Sequence, residues 1–201
     1  MTDTTQMTDG FAASLDMARA ISSNGGIKGY GTIELFRDVD QDRPRELWQP
    51  DLTVPFANLI TDAGDLYIAG KVIVAIGPAN PTAPTAMNGM KLGTGVTAAA
   101  KSGAGGALVT YLTASNVAFD ATFASTNNLG AGLGVEARYK TTWGAGVATN
   151  TAITEAAIVN DQATNATTSA ANTGSRIVFT AINKGASDSL AITWAWKFLG
   201  A

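Results

Sequence analysis

The 201-residue chain contains no cysteine and no histidine. That pair of absences excludes disulfides, thiolate nucleophiles, thiolate or imidazole zinc sites, and every Ser-His-Asp or Cys-His arrangement. Any catalysis would have to use carboxylates, lysine, tyrosine or hydroxyls. Charge is scarce as well: 14% of residues are charged, against about a quarter in ordinary domains. The net charge of -3 argues against a broad nucleic-acid footprint. Proline is confined to six positions. No apolar stretch approaches the roughly 18 residues of a membrane span. The N-terminus, Met1-Thr2-Asp3-Thr4-Thr5-Gln6, is polar and acidic, unlike the basic start of a signal peptide. The expectation is a soluble product of a cytoplasm, with no membrane and no nucleic acid as partner.

What is present is apolar, glycine-rich and patterned for strands. Leu190, Ile192, Trp194, Trp196 and Phe198 share one parity, so a strand would place them all on one face. Burial of that density at the end of the chain requires pairing inside a sheet. Strands are also predicted at Tyr30–Arg37, Leu52–Phe56 (Pro55 marking an edge), Met90–Leu92, Ala107–Leu112, Val117–Phe119, Val135–Trp143, Ile153–Val159 and Ile177–Ile182. In Val135–Trp143 the alternation directs Val135, Ala137, Tyr139 and Trp143 to the core and Glu136, Arg138 and Lys140 to water.

A helix is expected after Thr61 or Asp62, which can cap it, with Ala63, Leu66, Tyr67 and Gly70 at helical spacing. A proline-rich loop, 77–84, follows, and the Ala, Thr and Asn tract at 163–173 reads as an exposed loop. The predicted fold is mainly β: an antiparallel, jelly-roll-like β-sandwich with one packed helix and an N-terminal helical arm. Residues 1–26 form the arm and residues 27–201 the sandwich domain. Within the arm, Phe11, Leu15 and Ala18 line one face of a short helix, and Ser22-Ser23-Asn24-Gly25-Gly26 is its linker. The helix packs either on its own domain or on a neighbouring subunit.

Candidate chemical motifs have plain structural readings. Gly93-Thr94-Gly95-Val96-Thr97-Ala98 matches a dinucleotide-binding pattern, but Lys101-Ser102-Gly103-Ala104-Gly105-Gly106 would break the helix that pattern needs. A tight turn is the better reading. Asp38, Asp40 and Asp42 open like a calcium loop, then Arg43 stands where glycine is needed and Gln49 where glutamate is needed. Glu34, Glu136 and Glu155 fall in predicted strands, as exposed strand carboxylates commonly do, and nothing shows two of them converging on a glycosidic bond. Lys101-Ser102 has no supporting residues for nucleophilic work. No cofactor and no metal are expected. Trp48 and Trp143 are candidate surface aromatics for a carbohydrate or host receptor, although core tryptophans are commoner.

Three ordered segments carry a resemblance. They are Asn58-Leu59-Ile60-Thr61-Asp62-Ala63-Gly64, Met90-Lys91-Leu92-Gly93-Thr94-Gly95, and Asn183-Lys184-Gly185-Ala186-Ser187-Asp188 followed by Leu190–Trp194. Thr154-Glu155-Ala156 fits a Thr-Glu-Ala step in a middle strand. In order and spacing the chain from about residue 30 onward resembles a loose group of tailed-bacteriophage virion proteins, variously tail, fibre, collar or head-associated. The resemblance implies a β-rich, non-enzymatic particle component located in the virion. Its partners would be further copies of itself and other virion proteins of the neck, tail or major capsid. A capsid decoration or cement protein is the alternative, and a carbohydrate or host-receptor module a third reading.

Overall fold

The computed structural model describes residues 27–37, 48–72, 84–131 and 133–198. The expected arm helix with Phe11, Leu15 and Ala18, the acidic turn at 38–44 and most of the proline-rich loop lie outside these residues.

The described chain is mainly β. In order come β1 (Ile27–Phe36), β2 (Leu52–Ile60), helix α1 (Asp62–Val72), β3 (Gly89–Gly93), β4 (Val117–Ala118), β5 (Ser125–Asn128), β6 (Val135–Trp143), β7 (Asn150–Val159), β8 (Thr173–Lys184) and β9 (Ser189–Phe198). The two sheets expected of a sandwich form one antiparallel nine-stranded sheet, ordered β4-β3-β7-β8-β2-β1-β9-β6-β5 and curled into a half-barrel. The curl has its origin in β2. Residues 52–58 of β2 pair with β1, and only Leu59 and Ile60 pair with β8, opposite Arg176 and Ser175. Two residue pairs hold the halves together edge to edge, so the sheet can fold over at that seam. Pro55 lies on the stretch of β2 that, among the described residues, has no strand on its outer side, where its missing N–H costs no ladder bond.

The fold-over sets the concave faces against each other. Ile33 and Leu35 of β1, Leu190, Ile192, Trp194 and Trp196 of β9, and Tyr139 and Trp143 of β6 pack with Met90, Leu92, Ala156, Ile158 and Ile177 from the other half in one core. Phe56 meets Trp194 edge-on with ring centroids 5.0 Å apart, and Tyr139 meets Trp196 at the same separation. Such pairs add about 0.5–1.5 kcal/mol each beyond the area they bury. Trp196 Nε1 donates to Ser175 Oγ at 2.8 Å, joining β9 to β8 across the core. At the far edge Trp143 Nε1 donates to the Ser115 carbonyl at 2.7 Å, and Asp120 N–H to the Lys140 carbonyl at 2.8 Å, bringing the chain around β4 back to β6.

β9 lies between β1 and β6; its apolar row is buried from Leu190 to Trp196, and on the other face Ala191 and Ala195 are buried while Thr193 and Lys197 are half-buried. α1 closes over the curl: Thr61 Oγ1 accepts from the Gly64 N–H at 3.1 Å and donates to the Thr173 carbonyl, so Thr61 is the cap. Tyr67 on α1 meets the edge of Trp196 at 6.3 Å. The run Ala107–Leu112, predicted as a strand, contributes one bridge, between Tyr111 and Gly93, and is otherwise irregular. It is shaped by a buried charge, described next. β5, Ser-Thr-Asn-Asn, carries no apolar signal and forms only because β6 presents a free edge to it.

Candidate functional site

The convex face of the β3–β7–β8 half should be the wet side of the sheet, and it is not. Gly93, Glu155 and Val178 form one register row there, and Lys91, Ala157 and Arg176 the next. The segment following β3 and the segment following β7 lie over these rows, and Lys91, Glu155 and Arg176 are fully buried. Glu155 Oε2 accepts from Arg176 Nη2 at 2.7 Å and Nε at 2.9 Å, and from the Val109 N–H at 3.1 Å. Its Oε1 accepts from the N–H groups of Gly95 at 2.9 Å and Thr110 at 2.8 Å. Arg176 also donates from Nη1 to the Gly105 carbonyl at 3.2 Å and from Nη2 to the Thr97 carbonyl at 2.9 Å. An isolated ion here would cost several kcal/mol, and only a complete partner set offsets it. Glu155 is therefore a clasp that holds the segment 94–110 down.

Lys91 repeats the device. Its ammonium pairs with Asp161 at 3.0 Å, donates to the Ala166 carbonyl at 3.1 Å, and lies 5.7 Å from the centre of the Tyr111 ring. Around it Asn116 and Gln162 exchange side-chain-to-carbonyl bonds at 3.0 Å, and the Asn165 side chain takes the Tyr111 hydroxyl at 2.7 Å. The 163–173 tract is exposed as expected from 163 to 167, but Thr168 and Thr173 are buried and a 3-10 turn, Ala170–Asn172, intervenes.

The sequence readings of the carboxylates require correction. Glu136 was expected to face water; it is 2% exposed. It does lie on the face away from Tyr139 and Trp143, but it accepts from the Tyr30 hydroxyl, from Asn127 Nδ2 at 3.0 Å and from Arg138 Nε at 3.0 Å, which together cover it. Burial and then the Glu136 carboxylate raise the Tyr30 phenol above its ordinary range. Glu155 is equally unlike an exposed strand carboxylate. Glu34 is aligned across β9 with Thr142 of β6, six residues from Glu136, a separation of about 20 Å at strand rise. That is well beyond the span of a glycosidase pair, about 5–9.5 Å. Among the described residues no group of three acidic side chains gathers as a metal site.

Trp143, which alternation directs to the core and which was also a candidate surface aromatic, is fully buried with its indole N–H on Ser115, so the core reading holds and it offers no stacking face. The reason is its parity in β6, the same as Tyr139. Trp48 is half-buried, with its ring 6.1 Å from Phe36. Gly93-Thr94-Gly95 ends a strand and runs into an irregular segment with no α-helix after it, as a turn would. Lys101 pairs with Asp65 of α1, and its carbonyl accepts from the Asp62 N–H at 2.9 Å.

Among the described residues there is a shallow depression of about 230 Å³ beside the first residues of β1, lined by Ile27, Asn58, Leu59 and Ile60 and by the Lys101–Asp65 pair. Sequence reasoning passed over it, because Asn58 and Gly29 come together only through the β1–β2 register. Comparison with protein-family models, with curated protein sequences and with solved structures finds no match for the chain.

Proposed function

We propose that this chain is a non-enzymatic structural component of a tailed-phage particle, assembling as a symmetric homo-oligomer at the neck, tail or fibre base. The observation that carries the reading is where the resembling segments lie. Glu155 of Thr154-Glu155-Ala156 binds Gly95 of the Met90–Gly95 segment, so two separate motifs are one clasp. The Thr61 segment caps α1 and bonds to the start of β8. The Asn183–Asp188 segment is the β8–β9 turn, where the Asp188 carboxylate takes the Gly185 N–H at 2.7 Å and the Arg37 guanidinium at 2.6 Å. The shared residues are those that hold a scaffold together. A particle component must keep its shape, and its function lies in surfaces that this scaffold presents. Within this reading the two walls of the curled sheet play the part of the sandwich, and residues 1–26 are its assembly arm.

The test is location and copy number. Labelled chain imaged on purified particles should mark the neck, tail or fibre base in six or twelve copies. Hundreds of copies over the head would make it a shell decoration protein instead. Absence from particles would sink the virion reading altogether.

A further inference from the structure

On the convex face of the β1–β9–β6 half, Arg138 and Lys140 stand at alternate positions of β6, and Lys197 of β9 stands opposite Glu136. Same-face neighbours along a strand are roughly 7 Å apart and diagonal ones about 7–8 Å, within reach of long side chains. Three cations therefore surround one carboxylate, on a chain whose net charge is -3. That carboxylate is already satisfied: Glu136 takes the Tyr30 hydroxyl, Asn127 Nδ2 and Arg138 Nε. The Arg138 side chain is 46% exposed, and its two Nη groups meet no protein acceptor among the described residues. Lys140 and Lys197 are half-buried and enter no ion pair among those residues. Glu34, the other carboxylate of this face, lies in the row of Thr142, four residues along β6 from Arg138.

Tyr30 adds a platform beside these charges. It is aligned with Ala195 of β9, which is aligned in turn with Arg138 of β6. β1 and β6 are two strand spacings apart, roughly 10 Å, so the phenol meets Glu136 only by lying down across β9. One face of its ring rests on Ala195, which is 4% exposed. The other face is left to solvent next to the guanidinium, and Tyr30 is accordingly half-buried. A guanidinium fork matches a carboxylate through two parallel bonds, and a flat aromatic face takes the C–H side of a sugar ring. The next row offers the hydroxyls of Thr32 and Thr193 and no second aromatic. Hydroxyls suit a saccharide, whereas a single-stranded nucleic acid asks for successive stacking platforms along a basic track. We propose that this face binds a carboxylate-bearing saccharide, with its acid group on Arg138 between Lys140 and Lys197 and its ring on Tyr30. Glu136 is a positioning residue that fixes the guanidinium and the phenol. The site requires nothing of the virion reading above.

The test is a calorimetric titration of the full-length chain with alginate oligosaccharides at low salt. Saturable binding is expected, weakening as salt rises, with none to neutral dextran. Arg138→Gln should weaken it roughly tenfold or more, as the loss of a charge-assisted pair does. Tyr30→Phe keeps the ring and should bind nearly as the parent does, while Tyr30→Leu removes the platform and should bind clearly less well. Lys140→Gln with Lys197→Gln removes no hydrogen bond or ion pair of the fold and should lower affinity severalfold, so it decides the matter if a Tyr30 or Arg138 variant folds poorly. The proposal is overturned if alginate shows no saturable binding, or if the lysine double variant binds like the parent. It is overturned equally if alginate and dextran sulfate bind alike with Tyr30→Leu making no difference, which is adsorption of any polyanion, or if oligothymidylate binds more tightly than alginate. Binding by a chain absent from particles would keep the site and remove the virion reading; a particle component that binds no acidic sugar would do the reverse.

Discussion

Glu155 and Arg176 occupy places where two apolar side chains would also pack. What they add is direction: five donors from four residues converge on one carboxylate and set the path of 94–110. Arg176→Met should destabilise the fold by about 3–5 kcal/mol, since it leaves a buried carboxylate without its cation. Glu155→Met with Arg176→Met should cost clearly less than the two single changes summed, as read from urea midpoints. Additive costs would show that the two do not act as a pair. The tyrosines supply a pH signature. Burial raises the phenols of Tyr30 and Tyr139 well above their ordinary value near 10, with Glu136 reinforcing Tyr30 and Tyr67 reinforcing Tyr139. An acid whose folded pKa is raised contributes stability that is intact below the unfolded pKa and is lost as pH climbs above it. Lys184 acts in the opposite sense below its ordinary value, because burial lowers its ammonium, with Asp188 working against the shift, and losing the proton relieves a cost. From about pH 10 upward the phenols dominate, so urea midpoints should fall steeply there, and Tyr139→Phe should flatten the fall. An unchanged slope in that variant would refute the assignment.

At the scale of elements, α1 shows tertiary contact overriding local preference. Gly64 sits in its first turn, and by propensity alone alanine there should stabilise the helix by about 1 kcal/mol. A Cβ at Gly64 would instead run into the Gly174 carbonyl and Ile60, because Thr61 ties the helix start against β8. Gly64→Ala should therefore lower the melting temperature, with a cost of about 1–3 kcal/mol for overpacking; a rise would mean that the helix is less closely docked. The strands were legible wherever a face alternates. β9, β6 and β7 stand where Leu190–Phe198, Val135–Trp143 and Ile153–Val159 predicted them. Reading failed where the second face is covered too: nothing in Val135–Trp143 says that Tyr30, 106 residues away, will reach over Glu136. The depression was illegible for the same reason, since Asn58 is unremarkable until β1 lies beside it.

For the whole molecule, the seam at Leu59 and Ile60 joins two halves through one shared core. Hydrogen exchange should then find its slowest amides in β9, β1 and residues 155–159 of β7, which are paired on both sides over that core, and its fastest in the short edges β4 and β5. Two protection classes split at β2 would instead show the halves opening separately. The core itself is mixed from both ends of the chain: β1 lies beside β9, with Ile33 opposite Ile192. The sequence by itself determined the β class, a helix capped at Thr61 or Asp62 and the exclusion of thiol and imidazole chemistry, because alternation, capping and residue inventory are local or compositional properties. Only the tertiary structure decided that the strands form one curled sheet, that Glu136 and Glu155 are buried, and that Asn58 stands unpaired beside Gly29. Each of those depends on register and on what covers the second face of a strand, and both are set by residues far away in the chain.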